Sequence, residues 1–425
     1  MARKQTSKTA LVLAGGGLTG AVYEIGALRA IDDLLISQSI NDFDIYVGTS
    51  AGALVAAFLA NGVSPETMYQ VIDGRHARLT RVDRGQIFKL NWFDYARWGI
   101  RLPAKVLSAW FDYLFHFGDM TLVDLLWSLT DALPAGLYDS SGLEKFVREG
   151  LCQLGLPNQF AELNKKLLIS ATALDNGERE VFGVGYLETA ISKAVAASAA
   201  FPLFYKPVQI GDREYIDGGA RGNASIDLAI EHGARLIVCI NPLVPFDHQM
   251  DTKPSSEASH SFSSQGPQSI ASQTFRIMLH AGLQYHIKQV KRAHPDVDII
   301  LIEPSPEDYQ MFSYNIMKYS ARLTVAQHGF ETITLRMAED YPSYKETLAR
   351  HGIPISRRLV IEELEQIARS GHNPRVVRRI LEATNHDARK RQRNKPISLL
   401  NRSLDELEIA LEKMTPAPSL QGPSH

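Results

Sequence analysis

Hydrophobic positions in the first part of the chain form two continuous runs and two segments with helical spacing. The runs at residues 9–14 and 43–47 are short and almost entirely apolar, which predicts two buried strands. Between them, apolar residues recur every three or four positions over residues 21–37, which predicts a helix. A second helix is predicted over residues 51–60, where small apolar residues end at an Asn-Gly pair suited to a C-terminal cap. Strand–helix–strand–helix with short connections predicts that the two strands are parallel.

The same alternation of strands and helices continues as far as Pro306. Further apolar runs predict strands at residues 166–170, 180–182, 213–216, 236–240 and 297–302, with helical segments between several of them. We therefore predict an α/β protein with a mostly parallel sheet that helices cover. A stretch rich in Ser, Gln and Gly predicts a flexible loop over about 255–272. After Pro306 the pattern is helical, and helices are predicted at residues 314–340, 357–370, 374–384 and 399–414.

Composition and charge exclude several classes of protein. With 45% hydrophobic and 22% charged residues, the chain is not mainly disordered. The net charge of −2 gives no global sign of a nucleic-acid binder. Two cysteines cannot form a disulfide framework or a Cys-rich metal site, so we expect a cytoplasmic protein. The apolar segments at residues 10–22 and 45–65 are interrupted by glycine, so we expect neither a signal peptide nor a membrane span there.

Three glycine-marked sites carry the candidate chemistry, and each directly follows a predicted strand. They are Gly15-Gly16-Gly17-Leu18-Thr19-Gly20, Gly48-Thr49-Ser50-Ala51-Gly52 and Asp217-Gly218-Gly219. The second is a Gly-x-Ser-x-Gly motif between a strand and a helix, which is the context of a nucleophile elbow. Ser50 would stand at a helix N-terminus, where the amide dipoles favour negative charge. Ser50 is therefore the candidate nucleophile.

The other two sites supply the groups that such a serine needs. Loops at the carboxyl ends of parallel strands meet at one edge of the sheet, which brings the first glycine loop beside Ser50. The backbone amides that would form an oxyanion hole there are those of Gly15, Gly16, Gly17 and Leu18. Asp217 reaches the same edge if its strand is parallel to the others, and there it would accept the proton of Ser50. The supporting glycines, which permit close approach of the backbone, are Gly20, Gly48, Gly52, Gly218 and Gly219.

The base is predicted to be a carboxylate because no histidine fits the role. A histidine is the more usual base, but none of the thirteen histidines lies at a clear strand end beside an orienting carboxylate. We therefore predict a Ser–Asp dyad. An ordinary carboxyl pKa near 4 would make Asp217 a weak base, so its burial should matter.

The three motifs, in this order, resemble those of the patatin-like phospholipase family. Residues 197–202 (ASAAFP), followed by the Asp-Gly-Gly site and Asn223, resemble the second half of the family pattern. The resemblance places core motifs at 9–245 in a domain at 8–305. The helical pattern after it predicts a helical C-terminal region at 306–425 with a frayed tail. It implies a three-layer α/β/α sandwich and a Ser50–Asp217 dyad with a glycine-loop oxyanion hole. It also implies hydrolysis of lipid acyl esters, of the phospholipase A or lysophospholipase type, without metal, calcium or other cofactor.

Two alternatives to an active hydrolase stay open. The glycine loop of the family usually carries Arg or Lys where this chain has Thr19, so a catalytically weak or inactive lipid-binding or scaffold protein is one alternative. The other is a dinucleotide-binding module, because Gly15, Gly17 and Gly20 fit the G-x-G-x-x-G fingerprint. That fingerprint requires an acidic residue near the end of the second strand, where this chain has Thr49 and Ser50, so the hydrolase is favoured.

An aromatic-rich segment at residues 88–117 suggests contact with lipid. All four tryptophans lie between positions 92 and 127, and basic residues are interleaved with the aromatic ones, as in interfacial membrane helices. We predict a lid or a peripheral membrane contact within a helical insertion at about 88–130, with ordinary packing of that insertion as the alternative. The basic stretch at 375–402 is predicted to be a solvated helix face and loop, so no nucleic-acid partner is expected.

Overall fold

The computed structural model describes residues 8–36, 38–76, 84–115, 134–247, 262–308, 311 and 319–383. Its strands are β1 (Lys8–Leu13), β2 (Ile45–Thr49), β3 (Gly136–Tyr138), β4 (Lys166–Ala173), β5 (Arg179–Phe182), β6 (Leu203–Tyr205), β7 (Val208–Ile210), β8 (Arg213–Asp217), β9 (Ala234–Ile240) and β10 (Asp298–Ile302). Eight of them form one sheet in the order β10-β9-β1-β2-β4-β8-β7, with β5 also paired to β4. The short strands β3 and β6 form a separate pair.

Helices occupy most of the remaining described chain. They are α1 (Gly17–Leu34), α2 (Ala51–Ala60), α3 (Pro65–Asp73), α4 (Arg84–Ile87), α5 (Trp92–Phe115), α6 (Ser141–Leu154), α7 (Ile191–Ser198), α8 (Ile226–Glu231), α9 (Pro267–Ala293), α10 (Arg322–Glu339), α11 (Tyr341–Arg350), α12 (Arg358–Arg369) and α13 (Pro374–Glu382). Among the helices described here, none is both long enough and apolar enough to cross a lipid bilayer.

The sheet lies between two layers of helices, because successive residues of a strand point to opposite faces. On β1, Leu11 and Leu13 join the core built with α1, α2, α6 and α7. Ala10 and Val12, which alternate with them, join the smaller core built with α8 and α9. This arrangement confirms the predicted α/β fold with a covered sheet in three layers.

The sheet is mostly parallel, with an antiparallel edge. Strands β1, β2, β4, β9 and β10 are parallel neighbours, whereas β5 and β8 run antiparallel to β4. The condition that the strand before Asp217 be parallel is therefore wrong. Strand β4 extends three residues beyond Ser170, the partner of Thr49 at the end of β2, and β8 pairs with this extension. Asp217 is paired with Ala171 and so reaches the end of β2 from the opposite direction.

Several boundaries differ from those expected. Helix α1 begins at Gly17 and not at residue 21, because the glycine-rich loop already forms the first helical turn. The flexible loop expected over 255–272 is wrong in its second half, where a 3-10 helix spans Phe262–Gln265 and α9 begins at Pro267. Of the long helix expected at 314–340, the part described consists of a 3-10 turn and α10. Residues 116–133, 255–261 and 399–414, which carried further predictions, lie outside the described residues.

The C-terminal helices pack directly on α1. A Cβ atom built on Gly329 of α10 would lie 2.7 Å from the carbonyl oxygen of Tyr23, and one on Gly26 would overlap the carbonyl of Ala326. The two helices thus approach at positions where only hydrogen occupies the place of a side chain. At the last residue of α1, the Leu34 carbonyl oxygen accepts the Ser356 amide at 2.9 Å, which connects the two regions.

A buried arginine makes a second connection between α1 and the C-terminal helices. Arg29 is 1% exposed and forms ion pairs with Asp33 of α1, Glu66 of α3 and Glu363 of α12. Its guanidinium also donates to two main-chain carbonyls at the end of α13, those of Ile380 and Ala383. Three acidic side chains therefore share this buried cation.

Candidate active site

The turn between β2 and α2 consists of a single residue, Ser50. Gly48 and Thr49 belong to the strand and Ala51 begins the helix, so the backbone reverses at the serine itself. Ser50 has a φ of 53°, which is strained for a residue with a side chain and typical of functional positions. The flanking glycine is required by close packing, since a Cβ on Gly48 would lie 2.5 Å from the Cα of Ala53.

The structure brings Ser50 and Asp217 into direct contact. The Ser50 Oγ donates to the Asp217 Oδ2 at 2.5 Å, and the two residues are 6% and 4% exposed. The other carboxylate oxygen, Oδ1, accepts the amide of Gly219 at 2.7 Å. Burial raises the pKa of Asp217 to about 6, although both hydrogen bonds oppose the rise. The carboxylate is therefore a stronger base than an exposed aspartate.

Main-chain contacts hold Asp217 in this position. Its amide donates to the Ala200 carbonyl oxygen at 3.0 Å, and its own carbonyl accepts the Thr172 hydroxyl at 3.1 Å. The next residue, Gly218, lies against β4, where a Cβ would come within 2.5 Å of the Ser170 carbonyl oxygen. These contacts fix the carboxylate on both sides and restrict its freedom beside Ser50.

The first glycine loop lies beside Ser50, as its sequence position suggested. A Cβ built on Gly15 would lie 3.2 Å from the Ser50 Cβ and 3.8 Å from its Oγ. The amide of Gly15 donates to the Asn223 carbonyl oxygen at 3.2 Å, so this one of the four expected oxyanion donors is already engaged. Gly16 caps α1 and Gly17 begins it with a φ of 61°. The first amides of a helix have no intrahelical partner, which leaves those of Gly16, Gly17 and Leu18 as donors.

A buried serine that the sequence analysis missed, Ser198, stabilises the turn at Ser50 through hydrogen bonds. The Ser198 Oγ accepts the Ser50 amide at 2.7 Å and donates to the Ser170 carbonyl oxygen at 2.6 Å. The Thr49 and Ser170 hydroxyls are 2.7 Å apart and complete this support. Ser198 lies in the stretch at 197–202 that contributed to the family resemblance. That motif was the only sign of it in the sequence, and it did not indicate a role for Ser198.

One cavity contains Ser50 and Asp217, and a second cavity adjoins it. The Ser50 pocket, of about 80 Å³, contains Ser50, Asp217 and Asn223 and is otherwise lined mainly by glycine and apolar side chains. The second cavity, of about 100 Å³, lies among α1, α2, α3 and α6 and is almost entirely apolar. Four side chains line both cavities and form the boundary between them: Leu18, Ala21, Leu54 and Ile87.

A comparison with known protein families identifies the family of this chain. A family model described as patatin-like phospholipase matches residues 11–230, a little over half of the chain. The chain belongs to the patatin-like phospholipase family. The match contains all three glycine-marked sites, so the patatin-like region includes Ser50, Asp217 and the loop beside them.

Two curated relatives of this patatin-like chain match a similar part of it. An uncharacterized protein of Bacillus subtilis, YqhO, is 26% identical over 254 residues, covering 57% of this chain and 73% of the relative. A protein of Invertebrate iridescent virus 6, named probable lipid hydrolase 463L, is 21% identical over 229 residues. That match covers 52% of this chain and 63% of the viral protein, which is less than two thirds of its length.

Solved structures also resemble the patatin-like chain at low identity. VipD from Legionella pneumophila is 13% identical, with 98% of this chain and 93% of that chain covered and a TM-score of 0.32. Human GIVD cytosolic phospholipase A2 is 11% identical, with 84% and 60% covered and a TM-score of 0.30.

Proposed function

We propose that the protein is a lipid acyl hydrolase that cleaves carboxylic esters through an acyl-enzyme on Ser50, with Asp217 as the base. One observation carries this proposal: the Ser50 hydroxyl donates to a buried carboxylate at 2.5 Å inside a pocket lined mainly by apolar side chains. Membership of a phospholipase family supports a hydrolase and a lipid substrate. The substrate would be a phospholipid, a lysophospholipid or another fatty-acyl ester.

Asp217 makes Ser50 nucleophilic in the first step. As the Ser50 Oγ attacks the ester carbonyl carbon, its proton passes to the Asp217 Oδ2, and a tetrahedral intermediate forms. Asp217 then returns the proton to the leaving alcohol as the ester bond breaks, which leaves the acyl group on Ser50. The raised pKa of Asp217, about 6, brings the base closer to the operating pH and so favours the transfer.

The N-terminus of α1 stabilises the negative oxygen of the intermediate. The amides of Gly16, Gly17 and Leu18 start the helix beside Ser50, where its dipole adds a partial positive charge. Each donor to such an oxygen contributes about 3–4 kcal/mol to the transition state. Because these donors are backbone amides, Thr19 in place of the usual basic residue does not remove them.

The apolar lining of the second cavity is suited to bind the acyl chain of the substrate. This cavity adjoins the Ser50 pocket through four shared side chains, and its lining includes Val22, Phe58, Met68 and Phe146. Each methylene buried in such a lining contributes about 0.8 kcal/mol. We infer that an acyl chain attached to Ser50 would pass these shared side chains and extend between α1 and α2.

Helix α5 supplies a surface for lipid contact. Trp92, Ile100 and Phe115 are 72%, 79% and 80% exposed on this helix, which is an unusual density of large apolar groups in water. Peripheral contact with a membrane would bury them. Replacing Trp92 and Trp110 together by Ala should reduce partitioning onto anionic liposomes, whereas Tyr285→Ala, an exposed aromatic of α9, should not. Equal partitioning of all three proteins would exclude α5 as the contact.

A fluorophosphonate probe tests the proposed function. Wild-type protein should be labelled and Ser50→Ala should not, and ester turnover by Ser50→Ala should fall by at least about 10³-fold. Ser192→Ala serves as the control, since Ser192 is fully buried in α7 but bonded to Glu144 and Asn158. Absence of both labelling and turnover in the wild type would contradict the proposal. Binding of NAD by an unlabelled wild type would favour the dinucleotide alternative.

A further inference from the structure

The side chain of Asn223, a residue that lines the Ser50 pocket, carries an acceptor without a hydrogen-bond partner. Asn223 is 3% exposed and lines this pocket, and its Oδ1 is buried without a hydrogen-bond partner. Among the described residues that line the pocket, no other side chain has a buried polar atom without a partner. A buried acceptor left unpaired costs about 1–3 kcal/mol, so its retention calls for an explanation.

A chain of hydrogen bonds behind Asn223 fixes the orientation of its side-chain amide. The Asn241 Nδ2 donates to the Glu303 Oε1 at 2.8 Å, and the Asn241 Oδ1 accepts the Leu243 amide at 3.2 Å. With Asn241 oriented in this way, its Oδ1 can only accept, and it does so from the Asn223 Nδ2 at 2.9 Å. The Asn223 Oδ1 must then point away from Asn241.

The Oδ1 of Asn223 and the two members of the dyad lie around the same two glycines, Gly15 and Gly219. The place that a Cβ on Gly15 would occupy is 2.7 Å from the Asn223 Oδ1 and 3.8 Å from the Ser50 Oγ. Similarly, the place of a Cβ on Gly219 is 3.7 Å from the Asn223 Oδ1 and 3.0 Å from the Asp217 Oδ1. Glycine at both positions leaves the space between the three side chains free of methyl groups.

The Asn223 Oδ1 and the Asp217 carboxylate are both acceptors, and both lie around the same two glycines. A molecule that can donate two protons is therefore the ligand that suits this place. We propose that Asn223 holds the water that hydrolyses the acyl-enzyme. This inference rests on the proposed function, because the water is needed only once an acyl group is on Ser50. Ser50 then no longer donates to Asp217, so the water donates one proton to the Asp217 carboxylate and the other to the Asn223 Oδ1.

Hydrolysis of the acyl-enzyme then proceeds by attack of this water and release of Ser50. The water oxygen attacks the acyl carbonyl carbon while Asp217 takes one of its protons. The bond from the carbonyl carbon to the Ser50 Oγ then breaks, Asp217 returns the proton to that oxygen, and a free fatty acid leaves. The Asn223 side chain keeps its own protons throughout, so its part is to position the water.

Asn223→Ala separates this role from a structural one. Loss of one positioning hydrogen bond should slow deacylation about tenfold, so kcat should fall while kcat/KM, which reports acylation, stays near the wild-type value. Acid quenching followed by intact-protein mass measurement should find more acylated protein at steady state than in the wild type. Hydroxylamine, a nucleophile that depends less on positioning, should restore more turnover to Asn223→Ala than to the wild type.

Asn61→Ala is the matched control. Asn61 also has a buried Oδ1 without a partner, but it lies at the end of α2 and lines neither cavity, so its replacement should change none of these quantities. The main-chain carbonyl of Asn223 that accepts the Gly15 amide is unaffected by the substitution. Should the alanine variant not fold, Asn223→Ser, whose hydroxyl ends short of the Oδ1 position, is expected to accumulate acyl-enzyme in the same way.

The possible results distinguish the two proposals. If the wild type neither turns over esters nor is labelled, the proposed function and this inference both fall. If the wild type is active and folded Asn223→Ala shows unchanged kcat, or kcat and kcat/KM fall together without accumulation of acyl-enzyme, only the role of Asn223 is refuted.

Discussion

The hydroxyl of Ser50 lies 2.5 Å from a carboxylate oxygen of Asp217, although 167 positions separate the two residues in the chain. The contact exists because β4 extends past the end of β2 and β8 returns along that extension, antiparallel to β4. A parallel strand is therefore not needed to bring a carboxylate to a serine at a strand-to-helix turn. It is sufficient that the strands of both residues pair with β4 at adjacent positions, Thr49 with Ser170 and Asp217 with Ala171.

The pH dependence of hydrolysis should report the ionisation of Asp217. Burial raises the pKa of its carboxyl to about 6, and only the ionised form can accept the Ser50 proton. We expect kcat/KM to fall about tenfold per pH unit below pH 6 and to level above it. The measurement is kcat/KM for an uncharged ester between pH 4.5 and 8.5, with circular dichroism to verify folding. A rate constant that stays level down to pH 4.5 would show that another group is the base.

Ser198→Ala should impair both stability and turnover, because it leaves the Ser50 amide buried without an acceptor. The expected loss in the free energy of unfolding is about 1–3 kcal/mol, measured by urea denaturation. Ser192→Ala is the matched control, a buried serine of the same helix with side-chain partners away from Ser50. It should lose stability with little change in kcat. Equal kcat in the two variants would argue against a role of Ser198 in positioning Ser50.

Val22→Phe should shorten the acyl chains that the protein prefers. Val22 lines the second cavity but not the Ser50 pocket, so the larger side chain fills the distal space and leaves the reacting groups unaltered. We expect kcat/KM for long-chain esters to fall about fourfold for each methylene displaced. Acetate and butyrate esters, assayed with the same variant, provide the control. A uniform change along a p-nitrophenyl ester series would show that acyl chains bind elsewhere.

Arg29→Met should destabilise the fold strongly. It removes the cation shared by Asp33, Glu66 and Glu363 and leaves their carboxylates buried together. Breaking such a buried pair costs about 3–5 kcal/mol, which urea denaturation would measure. Arg369→Met removes an exposed pair with Glu365 and should cost less than about 1 kcal/mol. Similar losses for both variants would mean that the buried cluster contributes little.

Local motifs made Ser50 and Asp217 recognisable in the sequence. An elbow and an Asp-Gly-Gly turn are short patterns, because the backbone geometry that they require depends on adjacent residues. The direction of β8 is not encoded in such a pattern, since an apolar run has the same composition in either direction. The first turn of α1 was also missed, because three successive glycines are typical of loops.

Residues that act through tertiary contacts could not be found in this way. Ser198 meets Ser50 across 148 positions, and Asn241 meets Glu303 across 62, so neither pairing has a local signal. The engagement of the Gly15 amide likewise depends on a carbonyl at Asn223. The sequence identified the candidate reacting side chains, and the fold was needed to recognise the groups that hold them.

The close crossing of α10 over α1 means that the limits of the family match do not delimit a self-sufficient folding unit. A fragment ending at residue 305 would uncover the apolar face of the helix whose first turn carries the candidate oxyanion donors, including the surface around Tyr23 and Gly26. We expect such a fragment to aggregate on expression, whereas the full chain should remain monodisperse in size-exclusion chromatography. Any attempt to shorten the chain should therefore keep α10 together with α1.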